Sequence, residues 1–195
     1  MAKLYFRYGA MNCGKSTNLI QVAHNYEERG MEVLIAKPKL DTKEGEMIAS
    51  RLGILRKADF IVAPQDNFLT LIENHIREKG KVDCILTDES QFFTEEQVNQ
   101  LFEIAVNHNI PVICYGLRTD FMTKGFEGSA RLLLIAHSIE ELKTICSCGR
   151  KAILNARKIN GRFVFEGKQV VIDNDAAVQY IAMCGHCYLR EKATL

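Results

Sequence analysis

A short pattern near the N-terminus, G-x-x-x-x-G-K-[ST], is met by Gly9, Ala10, Met11, Asn12, Cys13, Gly14, Lys15 and Ser16. The preceding run, residues 4–8, is aromatic and apolar, which predicts a strand. The following run has helical spacing of its apolar residues Leu19, Ile20, Val22, Ala23 and Tyr26. A glycine loop between a strand and a helix can turn its backbone N–H groups around phosphate oxygens. The sequence therefore predicts a phosphate-binding loop, against the alternative of a glycine turn with an incidental lysine.

Two side chains of this loop have the chemistry that a bound nucleotide needs. Lys15 would reach the outer phosphates, and the hydroxyl of Ser16 would bind Mg²⁺. The N-terminus of the predicted helix would add partial positive charge beside them.

An acidic pair, Asp88 and Glu89, follows the apolar run 82–87, which predicts a buried strand that ends at these carboxylates. Asp88 would hold Mg²⁺, directly or through water. Glu89, one residue further along an extended backbone, would point to the other face and act as a base toward a hydroxyl. The alternative is an ordinary acidic turn after a strand.

Strands and helices alternate along the first 120 residues. Further strands are predicted at 31–36, 60–62 and 111–115, with helices opened by Asp66 and by a capping box of Thr94 and Gln97. Residues 39–57 are polar and predict a loop, with a short helix at 45–50. This alternation predicts an α/β domain around a largely parallel sheet, with ligands bound beyond the carboxyl ends of its strands. Ser16, Asp88 and Leu117 fall at such ends.

The C-terminal quarter has a different pattern. Asn160 and Gly161 predict a hairpin turn between short β segments. Two close cysteine pairs bracket the segment: Cys146 with Cys148, and Cys184 with Cys187. Paired cysteines in an intracellular protein indicate zinc more often than disulfides, and buried free thiols are the alternative. We therefore predict a phosphate-loop domain over 1–140 and a small zinc-binding β lobe over 141–195.

Composition limits the class of protein. A chain of 195 residues suits one domain, or one domain with a small appendage, and its net charge of +1 predicts neither a nucleic-acid nor a membrane partner. The longest apolar runs are about five residues, against the ~20 of a membrane span, and no signal-peptide pattern precedes them. The sequence predicts a cytoplasmic protein.

The segment 116–126 follows a predicted strand and is rich in apolar side chains. Leu117, Phe121 and Phe126 lie near the predicted active edge, where they could wall a pocket for a flat ring. The alternative, that they simply cover the core, is slightly favoured by spacing alone.

The motifs together resemble the cytosolic, zinc-containing (type II) thymidine kinase family. The resemblance covers nearly the whole chain. Its motifs are residues 9–17, residues 88–93, the group Gly116, Leu117, Asp120, Phe121 and Phe126, and the group Tyr180, Cys184, Cys187 and Tyr188.

The resemblance implies a RecA-like phosphate-loop core, a zinc lobe, and a lasso-like loop within 160–180 that clamps the base through backbone hydrogen bonds. It implies transfer of the γ-phosphate of ATP to the 5′-hydroxyl of thymidine, in the salvage of DNA precursors. The cofactors would be ATP, Mg²⁺ and structural Zn²⁺. The family is usually a homotetramer inhibited by thymidine triphosphate.

Site residues follow from the same resemblance. Glu89 would be the catalytic base. ATP would contact residues 9–16 together with Asp88, Glu89, Ser90 and Gln91. Magnesium would bind Ser16 and Asp88, and zinc would bind Cys146, Cys148, Cys184 and Cys187. The thymine pocket would be lined by Met11, Phe92, Leu117, Phe121, Phe126 and Tyr180.

The sequence departs from the family pattern at four places. Asn12 and Cys13 replace an aromatic or similar residue and a serine, and Lys43 replaces an arginine. The first cysteine pair is spaced Cys-x-Cys rather than Cys-x-x-Cys, so Cys148, which Gly149 follows, is the more secure ligand of the pair. The stretch 172–180 is longer than usual.

Two other function classes share some of these features. A phosphate-loop ATPase whose zinc module binds nucleic acid would use Glu89 to activate water. A nucleotide-binding regulator would leave Glu89 idle. The near-neutral charge and small size disfavour the first.

Overall fold

Strands and helices alternate along the chain, as the sequence pattern predicts. The structure, a computed structural model, describes residues 1–41, 45–169 and 178–194. The helices there are α1 (Lys15–Glu27), α2 (Phe68–Lys79), α3 (Glu95–Asn107), α4 (Glu127–Ile135) and α5 (Gly185–Lys192). The strands there are β1 (Leu4–Tyr8), β2 (Val33–Pro38), β3 (Met47–Ala49), β4 (Leu55–Lys57), β5 (Phe60–Val62), β6 (Cys84–Thr87), β7 (Val112–Gly116), β8 (Ser138–Glu141), β9 (Thr144–Ile145), β10 (Lys151–Ala152), β11 (Leu154–Ile159), β12 (Arg162–Val164) and β13 (Val178–Met183).

Six strands form one sheet in the order β5-β2-β6-β7-β1-β8, and every neighbouring pair is parallel. The α/β class and the largely parallel sheet are therefore confirmed. Strands β6, β7 and β1 are neighbours, and the carboxyl ends of parallel strands meet at one edge of a sheet. That edge carries the residues that follow Thr87, Gly116 and Tyr8, so three segments far apart in sequence meet there.

Both faces of the sheet are buried. In β7, Val112 and Cys114 join the apolar cluster under α2, α3 and α4, while Ile113 and Tyr115 join the cluster under α1. This division follows from the two-residue alternation of side chains along a strand. Because helices cover both faces, polar side chains of the sheet can meet a ligand only at its edges.

Helix α3 begins as the sequence predicts. The hydroxyl of Thr94 accepts from the backbone N–H of Gln97 at 3.2 Å, and the side chain of Gln97 accepts from the N–H of Thr94 at 3.2 Å. Together they satisfy two backbone donors that the first turn of a helix leaves free.

Two predicted boundaries are wrong by one or two residues. Strand β2 begins at Val33 rather than Met31 and includes Pro38. Helix α2 is capped by Asn67, whose side chain accepts from the N–H of Thr70. Asp66 instead accepts from the N–H of Ala63 at 2.7 Å and so closes the turn before the helix.

The short helix predicted at 45–50 is wrong. Residues 47–57 form an antiparallel hairpin in which Ile48 of β3 pairs with Arg56 of β4. Ile48 is buried against the cluster under α1, and Arg56 forms an ion pair with Glu27 of α1 at 2.6 Å. These contacts with α1, rather than local periodicity, determine the structure of the segment.

The C-terminal lobe contains a three-stranded antiparallel sheet in the order β12-β11-β13. The predicted hairpin is confirmed, because Asn160 and Gly161 join β11 to β12 with φ values of 50° and 78°. A separate core cluster, which includes Phe165 and Tyr188, packs this sheet against α5. The lobe therefore has apolar packing of its own beside the four cysteines.

Candidate active site

Residues 9–16, the 9–16 loop, connect β1 to α1 and close around the head of Lys15. The Lys15 ammonium is 3.2 Å from the carbonyl oxygen of Ala10 and 3.5 Å from that of Gly9, and the residue is 7% exposed. Gly14 has φ 84°, in the left-handed region that glycine adopts without strain. The loop thus holds a cation where β1 meets the helix N-terminus.

Ser16 and Asp88 meet across the edge of the sheet. The Ser16 hydroxyl donates to Oδ2 of Asp88 at 3.1 Å, although 72 residues separate them. The other oxygen, Oδ1, is buried and has no hydrogen-bond partner within residues 1–41, 45–169 and 178–194. Burial raises the pKa of the Asp88 carboxyl to about 7, and the charge of Glu89 adds to the rise. An unpartnered buried carboxylate oxygen beside a serine hydroxyl fits a site for a hard divalent cation.

Glu89 does not have the extended backbone expected from the sequence. Its φ and ψ are 48° and 37°, in the left-handed region, and a 3₁₀ turn from Ser90 to Phe92 follows it directly. The Ser90 hydroxyl lies 2.7 Å from that of Thr87 and bonds back to the carbonyl of Thr87 at 3.2 Å, which tightens this reversal. The chain therefore turns at Glu89 instead of continuing along the strand.

Gln91 connects Glu89 to the next segment along the edge. Its Nε2 donates to Oε2 of Glu89, and its Oε1 accepts from the backbone N–H of Leu117 at 2.9 Å. Gln91 thereby holds the carboxylate of Glu89 in place where the carboxyl ends of β6 and β7 lie side by side.

The residues predicted to line the base pocket are partly brought together. Phe92 and Phe126 pack edge to face with ring centroids 5.5 Å apart. Leu117, Phe121 and Phe126 are buried, as expected from the alternative interpretation that they cover the core. Tyr180 is half-buried in β13, where it pairs with Arg157 of β11.

Two buried polar residues of β11 were not predicted from the sequence. Asn155 accepts from the backbone N–H of Met11 at 2.7 Å and donates to the carbonyl of Thr119 at 3.3 Å. Arg157 places its guanidinium 3.7 Å from the ring centroid of Phe121. Both alternate with Leu154 and Ala156, which face the core cluster of the lobe, so the strand pattern places Asn155 and Arg157 on the opposite face, and nothing in the sequence indicates that this face is also buried.

The predicted clamp segment 160–180 lies only partly within the described residues. Arg157 donates to the carbonyls of Glu166 at 3.0 Å and Lys168 at 3.1 Å. Gln169 donates to the carbonyl of Gly125 at 3.2 Å. Residues 170–177, and Lys43, which replaces the arginine of the family pattern, lie outside the described residues.

The four cysteines of the two pairs converge as predicted. All four sulfur atoms lie within 4.8 Å of one another, with Cys148 and Cys184 at 3.6 Å. Sulfurs of a tetrahedral zinc site with Zn–S bonds of about 2.3 Å are separated by about 3.8 Å. The cluster therefore fits a four-thiolate metal site, including the short Cys146-x-Cys148 spacing.

Comparison of the sequence with known proteins identifies the family of this chain. A model of the thymidine kinase family matches residues 2–188. The chain belongs to the thymidine kinase family. A thymidine kinase of Legionella pneumophila (strain Paris) is 48% identical over 195 residues, covering 99% of this chain and 92% of that protein. One from Chromobacterium violaceum is 48% identical over 190 residues, covering 96% and 98%, and one from Enterobacteria phage T4 is 45% identical over 186 residues, covering 94% of each.

Membership of the thymidine kinase family makes this chain an ATP-using kinase. The 9–16 loop, Asp88 and the cysteine cluster are therefore parts of a phosphotransferase. Among the described residues, none of the helices has the length and apolar character required to cross a membrane.

Proposed function

We propose that this chain transfers the γ-phosphoryl group of ATP to the 5′-hydroxyl of thymidine, producing thymidine monophosphate and ADP. The observation that carries the proposal is the hydrogen bond between Ser16 and Asp88 beside the fixed carboxylate of Glu89. This bond holds the loop suited to phosphate next to the turn that carries the candidate base, at the edge of the sheet where β1 and β6 both end.

The nucleotide would bind through the backbone of the 9–16 loop and the 88–91 turn. The ammonium of Lys15 now contacts two neutral carbonyl oxygens, and an anionic phosphate would be a stronger partner for it. Ser16 and Asp88 would hold Mg²⁺, which would neutralise charge on the phosphates.

Glu89 would act as the general base. It would accept the proton of the 5′-hydroxyl as that oxygen forms a bond to the γ-phosphorus and the bond from that phosphorus to the ADP oxygen breaks. Gln91 supports this role, because it occupies one carboxylate oxygen and leaves the other for the substrate.

The base would be held by apolar walls and by a clamp from the C-terminal lobe. Phe92 and Phe126 offer aromatic surface, and Met11, Leu117, Phe121 and Tyr180 would complete the pocket. The clamp is supported by Arg157, which fastens the backbone of Glu166 and Lys168 to the lobe. Backbone groups of the 160–180 loop would then read the edge of thymine.

Zinc would have a structural role. Four thiolates complete a tetrahedral shell and leave no open coordination position for catalysis. The ion would join the turn after β9 to the N-terminus of α5, where Cys184 caps the helix. We propose on this basis that residues 141–195 act as a zinc lobe beside the catalytic residues 1–140.

Assembly and regulation follow from the family resemblance alone. We include in the proposal a homotetramer, a cytoplasmic location and inhibition by thymidine triphosphate.

A transfer assay with labelled ATP tests the proposed function. The purified chain is incubated with γ-labelled ATP, Mg²⁺ and a panel of nucleosides, and the labelled products are separated. We expect label on thymidine. Label released only as phosphate would indicate an ATPase, and no loss of label from ATP would indicate a regulator; either result contradicts the proposal.

A further inference from the structure

Asn155 joins two segments that approach the active edge from different parts of the chain. Its Oδ1 accepts from the N–H of Met11, 144 residues away, and its Nδ2 donates to the carbonyl of Thr119, 36 residues away. The residue is 3% exposed. Its side chain is therefore a buried bridge between the 9–16 loop and residues 116–126, the 116–126 loop.

The first of these bonds limits the freedom of the 9–16 loop. Met11 lies in the middle of the loop, next to Asn12, whose φ is 67°. The N–H of Met11 is occupied by Asn155 rather than free to follow a phosphate oxygen. A rearrangement of the loop on nucleotide binding must either keep this bond and pull on Asn155 or break it.

The second bond reaches a loop whose own hydrogen bonds hold it together. Asp120 Oδ1 accepts from the N–H groups of Met122 and Lys124, both at 2.8 Å, and Thr119 forms a bridge with Gly125. At the start of the loop, the N–H of Leu117 is held by Gln91. A displacement of Thr119 is therefore transmitted along the loop to the side chains proposed to contact the nucleoside.

The lobe holds Asn155 itself in place. Asn155 lies in β11, which is hydrogen-bonded to β12 on one side and to β13 on the other. Its partner in β13 is Ala182, two residues before Cys184 of the cysteine cluster. Asn155 is therefore held by the C-terminal sheet and not by either of the two loops that it connects.

We propose that Asn155 is a positioning residue that couples nucleotide binding at the 9–16 loop to nucleoside binding at the 116–126 loop. The inference rests on the proposed function, which assigns these two loops to the two substrates. An amide suits the task because it accepts one hydrogen bond and donates another from the same rigid plane. Ordering of the 9–16 loop by ATP then favours the arrangement of the 116–126 loop that binds thymidine, and the converse must hold equally.

Equilibrium binding measures this coupling without turnover. The dissociation constant of thymidine is determined by calorimetry on the zinc-loaded chain, with and without the β,γ-imido analogue of ATP and Mg²⁺. We expect the analogue to tighten thymidine binding by about 5-fold or more in the unaltered chain, within the range typical of coupled sites.

Two substitutions separate the two bonds. Asn155→Leu keeps the branched arrangement of heavy atoms and removes both bonds, so the tightening should fall to less than about 2-fold. Asn155→Asp keeps an acceptor for Met11 but sets a second oxygen against the Thr119 carbonyl. It should also lose the coupling, while it keeps affinity for the analogue alone. Gln100→Leu, which removes a buried amide from α3 with its bond to Phe68, is the matched control and should keep the full coupling.

Each result decides for or against the coupling role. An unaltered chain without coupling, or an Asn155→Leu chain that retains it, overturns the inference. Should Asn155→Leu fail to fold, as judged by zinc content and thermal melting, Asn155→Asp decides in its place. Thymidine that binds with coupling but receives no phosphate contradicts the proposed function and leaves the inference standing.

Discussion

Gln91 donates a side-chain hydrogen bond to the carboxylate of Glu89 and accepts one from the backbone N–H of Leu117 at 2.9 Å. The two bonds connect the turn after β6 with the end of β7. In this position Gln91 leaves no space for a side chain at Gly116, because a Cβ there would lie 2.8 Å from Oε1 of Gln91 and 3.1 Å from its backbone nitrogen. The orientation of the proposed base therefore depends on a neighbour that does not itself need to touch a reacting atom.

Replacing Gln91 should lower turnover more than substrate binding. In Gln91→Leu, the carboxylate of Glu89 loses its fixed donor and can rotate away from the 5′-hydroxyl. Misplacement of a reacting group by about 1 Å can cost on the order of 10²-fold, so kcat should fall about 10- to 100-fold. The KM for ATP should change little. Steady-state kinetics of the variant beside Gln100→Leu, a buried glutamine of α3, measures the difference.

Gly116→Ala offers an independent route to the same defect. Its added methyl would displace the Gln91 side chain, so the variant should resemble Gln91→Leu. Because both changes act on one contact, the double variant should be little worse than either single one. Multiplicative losses in kcat would show that Gln91 does not act through this contact.

Removing the basic oxygen of Glu89 tests the base directly. Glu89→Gln keeps the size of the side chain but cannot accept the hydroxyl proton. Loss of a general base should lower kcat by about 10²–10⁴-fold, while the affinity for ATP changes little. Presteady-state transfer to thymidine, measured with saturating ATP, reports the chemical step. A variant with nearly normal kcat would remove Glu89 from this role.

The edge that carries the site was predictable because local signals agree with one another. Apolar runs predict the strands, the glycine pattern predicts the 9–16 loop, and parallel strands bring their carboxyl ends together. The contact between Ser16 and Asp88 follows from that logic, although no local feature links the two residues. The cysteine spacing likewise predicted a cluster that the fold brings together.

The features that the sequence did not predict depend on tertiary contacts. The left-handed backbone of Glu89 is set by the tight turn that follows, against which Gly128 of α4 packs; a Cβ there would lie 2.5 Å from the Ser90 carbonyl and 2.7 Å from that of Phe93. Helix α4 and strand β8 were not predicted. Asn155 has no recognisable spacing to its partners Met11 and Thr119, because they come from remote segments, and the same holds for Arg157 and the ring of Phe121.

Zinc content tests the cysteine cluster. Protein purified without added metal should carry about one zinc per chain, the stoichiometry of a four-thiolate structural site. Chelation should loosen residues 150–169 and weaken thymidine binding before the main sheet unfolds, because the site draws folding energy from the metal. Hydrogen exchange with and without chelator follows the loss. Metal-free protein with full activity would contradict the assignment.

The short spacing of the first pair has its own test. Cys146→Ser should lower the zinc content or weaken its retention against a chelator, because Cys146 shares the cluster with the other three thiols. Cys114→Ser, which removes a buried thiol from the central sheet, is the matched control. Unchanged retention in Cys146→Ser would mean that another ligand completes the shell, with the exposed neighbour His186 as the first candidate.

Arg157 should be more important for the nucleoside than for ATP. Its guanidinium stacks on Phe121 and donates to the carbonyls of Glu166 and Lys168. Arg157→Lys replaces the planar fork by one ammonium, which cannot hold both carbonyls in the geometry that the guanidinium gives them. The KM for thymidine should rise while that for ATP stays nearly constant. Arg162→Lys on the exposed part of β12 is the control, and equal effects on both KM values would contradict the prediction.

Selection among nucleosides tests how the base pocket works. The aromatic walls of Phe92 and Phe126 would stack on any pyrimidine and discriminate little between them. Met11 has a flexible thioether that could pack against the 5-methyl group of thymine. One methyl group in an apolar pocket is worth about 1–3 kcal/mol, so deoxyuridine should be a poorer but real substrate.

Cytosine should be excluded far more strongly than uracil. Its N3 and 4-amino group reverse the donor and acceptor pattern of thymine, so backbone groups of the 160–180 loop that fit thymine would face like partners. A site built for hydrogen bonds rejects such a mismatch by about 10⁴-fold or more, because buried polar groups are left unpaired. The measurement is kcat/KM for thymidine, deoxyuridine and deoxycytidine on one preparation. Comparable values for thymidine and deoxycytidine would mean that the edge of the base is not recognised, and the proposal of thymidine as the substrate would fail.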